Sequence, residues 1–192
     1  MFDSKQIYKI YDKLRIFNKE NLISFVGRLD KEKNVIALLE IFKKANVSKD
    51  WKLQIIGDGN ERVNLEHFVE KNQLQERVIF YGTKTSDEIL ELLRKSKIFG
   101  FTSLKEALPT VLVEALFCSN AIISYNCNYG PSDIVKNNSG FLIDVNNKED
   151  FIQKLEMLTN SDEKLEKMME NATKETQNWK QNEILKKWQE II

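Results

Sequence analysis

Two glutamates, Glu106 and Glu114, stand with seven residues between them in the run FGFTSLKEALPTVLVEALFCSN at 99–120. The run starts apolar, breaks into a short polar loop and turns apolar again at Pro109. Pro109 suits the first turn of a helix, where a missing N–H costs nothing and φ is already set. Thr110, Val111 and Leu112 then offer unpaired backbone N–H groups, and a helix N-terminus of that kind attracts anions. Glu114 lies roughly 7 Å along such a helix at about 1.5 Å per residue. Helical side chains lean back toward the N-terminus, so its carboxylate can reach a polar group beside a phosphate seated on the helix end. Glu106, on the preceding loop, can reach the phosphate's other side. The geometry suits a ligand with sugar hydroxyls flanking a phosphate. Local sequence leaves a second reading open, in which Glu106 is a solvated loop residue and Glu114 lies on a helix surface.

Other stretches invite the same question. Gly27-Arg28-Leu29 with Lys33 puts two cations after an apolar run, and Gly27 gives the backbone room. A diphosphate there is matched by a forked guanidinium and a compact ammonium. A solvated basic loop is the alternative. Gly57-Asp58-Gly59 lacks the third glycine of a dinucleotide fingerprint, because position 62 is Arg62. A nicotinamide or flavin dehydrogenase is therefore disfavoured. Tyr129-Gly130-Pro131-Ser132-Asp133 is either a ligand-touching loop or a plain turn. The single histidine, His67, reads as a surface or packing residue, and Met157, Met168 and Met169 read as core filler.

The elements that carry these loops follow from hydrophobic patterning. Apolar runs at 21–27, 51–57, 77–82, 97–103, 121–125 and 140–143 alternate with helical spacing. Asn34 can cap the first of those helices, Ser86-Asp87-Glu88 can start the third, and Asn120 can end the fourth in a left-handed conformation. The runs are apolar throughout rather than alternating. That is the mark of a parallel sheet covered on both faces, so the expected fold is a doubly wound, Rossmann-like α/β domain of six strands. Its ligands bind beyond the carboxyl ends of the strands. The helical spacing after residue 148 predicts additional C-terminal helices, with a break near 159–162. Residues 3–17 carry Ile7, Ile10, Tyr11 and Leu14 at helical spacing. The chain divides into a leading helix or interdomain linker at 1–20, a Rossmann-like domain at 21–158 and C-terminal helices at 159–192.

The composition narrows the classes. At 192 residues, with 42% apolar and 30% charged residues, the chain can bury a real core. Twenty-nine cations balance twenty-nine anions, so there is no general pull toward nucleic acid or an anionic membrane. Cys118 and Cys127 follow no metal or redox spacing and fit a reducing, cytoplasmic setting. No run approaches the ~20 apolar residues that span a bilayer, and the N-terminus lacks a signal peptide's apolar centre.

FVGRLDKEKN, IIGDGNER, VIFYG, SLKEALPTVLVEAL and YGPSDIVKNNSGFLI come in the order seen in the donor-binding half of retaining GT-B glycosyltransferases of the "group 1" family. The resemblance covers about residues 21–158. It implies that Arg28 and Lys33 bind a donor diphosphate, that Glu106 binds the donor sugar and that Glu114 binds the ribose. It also implies that N–H groups near Leu108, Thr110 and Val111 cradle phosphate and sugar, and that Val78 and Ile79 line the nucleobase. The implied reaction transfers a sugar, from a UDP-sugar by expectation, to a glycan or lipid-linked acceptor. Cationic side chains stand in for a metal, so no metal and no other cofactor is expected.

Two residues depart from the family pattern. Ala107 stands where glycine is usual after the first glutamate, and strains the cradle if that position needs φ > 0. Asp133 stands where glutamate is common. The family's acceptor-holding N-terminal domain has no counterpart here, so the chain is expected to be a C-terminal half. Peripheral contact with the inner membrane face is expected of the whole enzyme. Residues 179–192, with Ile184, Leu185, Trp188 and Ile191 on one side, are expected to pack on this domain or the absent one. A GT-B nucleotide-sugar epimerase and a non-catalytic nucleotide-sugar-binding module are the alternative functions.

Overall fold

The computed structural model describes residues 19–179. Strands β1 (Glu20–Val26), β2 (Lys52–Ile56), β3 (Val78–Gly82), β4 (Ser96–Phe101), β5 (Ala121–Tyr125) and β6 (Gly140–Ile143) form one sheet. Every pairing is parallel, in the order β3-β2-β1-β4-β5-β6. Helices α1 (Val35–Lys44), α2 (Arg62–Lys71), α3 (Ser86–Lys95), α4 (Thr110–Phe117), α5 (Pro131–Ile134), α6 (Lys148–Thr159) and α7 (Asp162–Glu175) connect and cover it. This is the Rossmann-like α/β architecture that the apolar runs predict.

Parallel strands buried on both faces explain those runs. One layer packs Phe25, Leu53 and Tyr125 against Leu38, Leu39 and Phe42 of α1 and Phe151 and Leu155 of α6. The other packs Val26, Phe99 and Phe101 against Leu93 of α3 and Leu112 and Leu116 of α4. Each such side chain contributes about 1.5–3 kcal/mol on full burial. Helix α7 serves both layers, with Leu165 and Met168 in the first and Ala172 in the second. It therefore packs on this domain's own sheet and helices. Met168 fills core as expected, but Met157 is 37% exposed.

A buried polar cluster runs across the sheet's centre. The Gln54 side-chain amide donates to Ser24 Oγ at 2.6 Å, to Ser96 Oγ at 3.0 Å and to the Leu92 carbonyl at 3.1 Å. The cluster ties β2, β1 and β4 to the end of α3, and burial makes each bond hard to break without leaving an orphan.

Three end signals differ from expectation. Asn34 precedes α1 in a left-handed conformation, φ 50°, and its side chain makes no cap bond. Thr85, not Ser86, caps α3, in a reciprocal capping box with Glu88. Ser119 takes the left-handed position after α4, at φ 56°. Asn120 is buried and its amide donates to the carbonyls of Leu93 at 2.9 Å and Ser96 at 2.6 Å. The expected break after α6 is present, with Ser161 accepting from the Lys164 N–H.

The leading helix expected at 3–17 and most of the 179–192 run lie outside the described residues. Among the described residues no helix is long and apolar enough to cross a membrane.

The loop after β2 braces the loop after β1. Gly57 has φ +133°, and a Cβ there would lie 1.9 Å from the Gly27 carbonyl oxygen. Gly27 N–H donates to the Ile56 carbonyl, Leu29 N–H to the Asp58 carbonyl and Glu61 N–H to the Leu29 carbonyl, at 3.0, 2.9 and 2.8 Å. Gly57→Ala is expected to destabilise the domain by about 2 kcal/mol or more, through forbidden φ and the backbone collision together. Equilibrium denaturation in urea measures it, and an unchanged midpoint contradicts the brace.

Candidate functional site

In an open parallel sheet the ligand crevice opens where the strand order reverses, between β1 and β4 here. The loops leaving these two strands are sewn together. Thr102 Oγ1 donates to the Asn34 carbonyl at 3.0 Å, Ser103 Oγ to the Glu32 carbonyl at 3.3 Å, and Leu104 N–H to the same Glu32 carbonyl at 2.8 Å. Thr102 and Ser103 are fully buried.

That stitching brings together two residues 73 positions apart. Lys33 Nζ lies 2.6 Å from Glu106 Oε1, with side chains 20% and 10% exposed. Both expected ligand groups of the two loops thus meet at the mouth of the crevice. Arg28 projects from the same β1 exit, 78% exposed, with Nη2 3.2 Å from Asp30 Oδ2. Gly27 lies under this loop, half-buried, with its carbonyl against Gly57.

Beyond Glu106 the chain enters α4, where the N-terminus differs in detail from expectation. Pro109 is the residue before the helix, not its first member. Thr110 N–H turns back to the Leu108 carbonyl at 2.9 Å, and Leu112 N–H donates to the Pro109 carbonyl at 2.9 Å. These two N–H groups are therefore engaged, against expectation. The free donors lie elsewhere: the N–H groups of Lys105, Glu106, Ala107, Leu108 and Val111 donate to no described residue. Ala107 is not in a positive-φ conformation, so it strains nothing. Leu108 is 56% exposed at the mouth.

Glu114 sits on the second turn of α4, half-buried, and makes no hydrogen bond or ion pair with a described residue. Burial raises its carboxyl above the usual range. An uncompensated carboxylate held in a crevice is a mark of a functional site more than of a stabilised one.

The loop after β5 closes the third side. A Cβ on Gly130, at φ +102°, would lie 2.3 Å from Pro109 Cδ. Cys127 is buried beside the Lys33–Glu106 pair. Burial first, and then the charge of Glu106, raises its thiol above the ordinary range. Ser132 and Asp133 are exposed on α5.

Two expected residues are not brought to the site. Val78 and Ile79 occupy the first half of β3, and Val78 is buried in the core opposite Leu53. The strand exits four residues later at Gly82, about 13 Å on at ~3.3 Å per residue. The residues at that exit are Tyr81, Gly82 and Thr83, and Gly82 accepts from the Gly57 N–H at 2.9 Å. His67 is exposed on α2, as expected.

Sequence reasoning missed Asp30, the stitching by Thr102 and Ser103, and Cys127. An Asp three residues before Lys33 is a turn signal that was available to be read.

Comparison with known proteins places the chain in a family. The family model described as "Glycosyl transferases group 1" matches residues 7–175. The chain is 35% identical over 175 residues to the amylovoran biosynthesis glycosyltransferase AmsD of Erwinia amylovora, covering 91% of this chain and 48% of AmsD. It is 31% identical to the GalNAc-alpha-(1->4)-GalNAc-alpha-(1->3)-diNAcBac-PP-undecaprenol alpha-1,4-N-acetyl-D-galactosaminyltransferase of Campylobacter jejuni, over 92% of this chain and 49% of that protein. The chain thus spans about half the length of the curated relatives it matches. A crystal structure of a TarM mutant of S. aureus, in complex with fondaparinux, alpha-GlcNAc-glycerol and UDP, superposes with a TM-score of 0.79. It is 24% identical, over 91% of this chain and 37% of TarM, a likeness of fold.

The sign of the Glu114 shift makes a prediction. A carboxyl with a raised folded-state pKa favours folding in its protonated form, and that advantage is lost as pH rises through the folded value. Glu114→Gln, neutral at every pH, is therefore expected to be more stable than the parent at pH 7. The difference should close below about pH 4, where the parent carboxyl is neutral too. Melting temperatures across pH 3.5–8 measure this, and a parent more stable at pH 7 contradicts an uncompensated Glu114.

Proposed function

Because the chain belongs to the glycosyl transferases group 1 family, we propose that it forms the donor-binding half of a retaining glycosyltransferase. The donor is a nucleotide-sugar, a UDP-sugar in the first instance, since UDP is bound in the TarM complex of like fold. The acceptor is a glycan or a lipid-linked glycan. Its support is a relative that acts on an undecaprenol-linked chain. The observation that carries the reading is the Lys33–Glu106 pair at the β1/β4 crevice, beside a row of free N–H groups.

The roles follow from charge and reach. Lys33 and Arg28 hold the diphosphate and stabilise the charge that develops on it as the glycosidic bond breaks. The free N–H groups from Lys105 to Leu108, with that of Val111 and the exposed Thr110 hydroxyl beside them, contribute fixed dipoles to the same end. Lys33 leaves Glu106 for the phosphate, and Glu106 turns to the sugar hydroxyls. Glu114, with no partner among the described residues, accepts hydrogen bonds from the ribose hydroxyls. Gly27 lets the donor approach the β1 exit. The exit of β3, at Gly82 and Thr83, walls the nucleobase in place of Val78 and Ile79. The two cations do what a metal does in other transferases, so the site is proposed to work without one. The acceptor is held by the part of the whole protein that corresponds to the rest of its relatives' length. The protein is proposed to act in the cytoplasm, at the inner face of the membrane where a lipid-linked acceptor is presented.

Two measurements test this. A panel of nucleotide-sugars is expected to raise the melting temperature of the chain for one donor above the rest, because a ligand that binds only the folded state stabilises it by mass action. Arg28→Ala, at an exposed site, is expected to weaken binding of that donor's nucleoside diphosphate about tenfold or more without lowering stability, consistent with loss of a charge-assisted contact. Equal affinity by calorimetry removes Arg28 from the site.

A further inference from the structure

The turn from Arg28 to Lys33 contains one residue that touches both cations. Asp30 Oδ1 accepts the Lys33 backbone N–H at 3.0 Å. Asp30 Oδ2 lies 3.2 Å from Arg28 Nη2. The Asp30 side chain is 25% exposed and that of Arg28 78%, so the carboxylate is fixed and the guanidinium reaches out to it. A carboxylate beside a diphosphate site opposes the ligand by like charge. Its presence needs a reason, and the geometry supplies one for each oxygen.

We propose that Asp30 is a positioning residue of the donor site. Its Oδ1 sets the turn that aims Lys33 at Glu106, and its Oδ2 restrains Arg28 until a diphosphate displaces it. The inference rests on the reading of Arg28 and Lys33 as diphosphate ligands. Arg28, Asp30, Lys33 and Glu106 carry two positive and two negative formal charges, so these four groups cancel and neither cation stands uncompensated. The diphosphate therefore enters by partner exchange: Lys33 changes from Glu106 to phosphate, and Arg28 from Asp30 to phosphate. Affinity is set by the difference between these contacts, not by the sum of two free cations.

The two oxygens can be separated by substitution. An asparagine keeps a side-chain oxygen for the Lys33 N–H and removes the charge that holds Arg28. An alanine removes both. The full 192-residue chain is titrated by calorimetry with UDP, GDP and ADP in turn, and exchange of the Lys33 amide proton is followed by NMR without nucleotide. Asp30→Asn is expected to bind the preferred nucleoside diphosphate about two- to fivefold tighter, the range of an exposed ion pair, with Lys33 amide protection kept. Asp30→Ala is expected to lose that protection and to bind about fivefold or more weakly than Asp30→Asn, the size of a lost turn cap. In an Arg28→Ala background the gain from Asp30→Asn should vanish. The inference is overturned if the two Asp30 variants behave alike, or if the gain persists without Arg28. If Arg28→Ala weakens binding while Asp30→Asn matches the parent, only the Asp30 inference falls. If Arg28→Ala binds as the parent does, Arg28 leaves the site and the Asp30 inference falls while the donor-site reading stands; if none of the three nucleotides binds the parent chain, the donor-site reading falls and the inference with it.

Discussion

Two side-chain hydroxyls and one N–H on the β4 exit hold the β1 exit in place, and the site depends on these three hydrogen bonds. At a reversal of strand order the connecting helices leave in opposite directions, so nothing in the sheet itself fills the gap between the two exits. Two loops there would separate into solvent. Thr102, Ser103 and Leu104 prevent this by donating to carbonyls of Glu32 and Asn34. Asn34 takes its left-handed turn at this contact, and α1 starts from it. The approach of Lys33 to Glu106 follows from that geometry.

Around this join the other loops act as supports. The glycines after β2 resembled part of a phosphate fingerprint. Their actual partner is the backbone of Gly27 and Leu29, which they approach too closely for any side chain. The loop after β5 presses Gly130 on the ring of Pro109. The β1 exit is thus carried on backbone packed against backbone, and the α4 entrance on a proline ring held by a glycine, contacts that deform little. The groups left loose are an exposed Arg28, a carboxylate on Glu114 with no partner among the described residues, and a row of N–H groups that donate to no described residue. Stability is conceded at these points, as it commonly is at sites that bind charge.

Much of this was legible in the chain. Mostly apolar runs of four to seven residues, spaced by helical patterns, are satisfied by a sheet covered on both faces, and all six strands lie where those runs do. The positions of Arg28, Lys33 and Glu106 were legible because charged residues just beyond such a run lie at a strand exit. Val78 and Ile79 were misplaced for the converse reason: a residue at the start of a run lies at the far end of its strand. Details decided by tertiary partners were hidden. Asn120 reads as a helix terminator, yet its amide serves two carbonyls near the end of α3 and the start of β4, and Ser119 takes the strained position instead. Which N–H groups stay free at α4 depended on Thr110 folding back to Leu108, a local choice that no periodicity reports.

The strand order has a consequence in time as well as space. The strands β1-β2-β3 and β4-β5-β6 form two runs of neighbours, each built by connections to the next strand in sequence. The seam between them pairs β1 with β4, and it closes only across the intervening β2 and β3. Non-local pairings of this kind are the slow events in folding, because the loop must close before the contact rewards it. The crevice lies on the seam. Its charged pair therefore cannot assemble in either half alone and forms only when the two halves dock along that seam, marking a chain whose two halves have found each other.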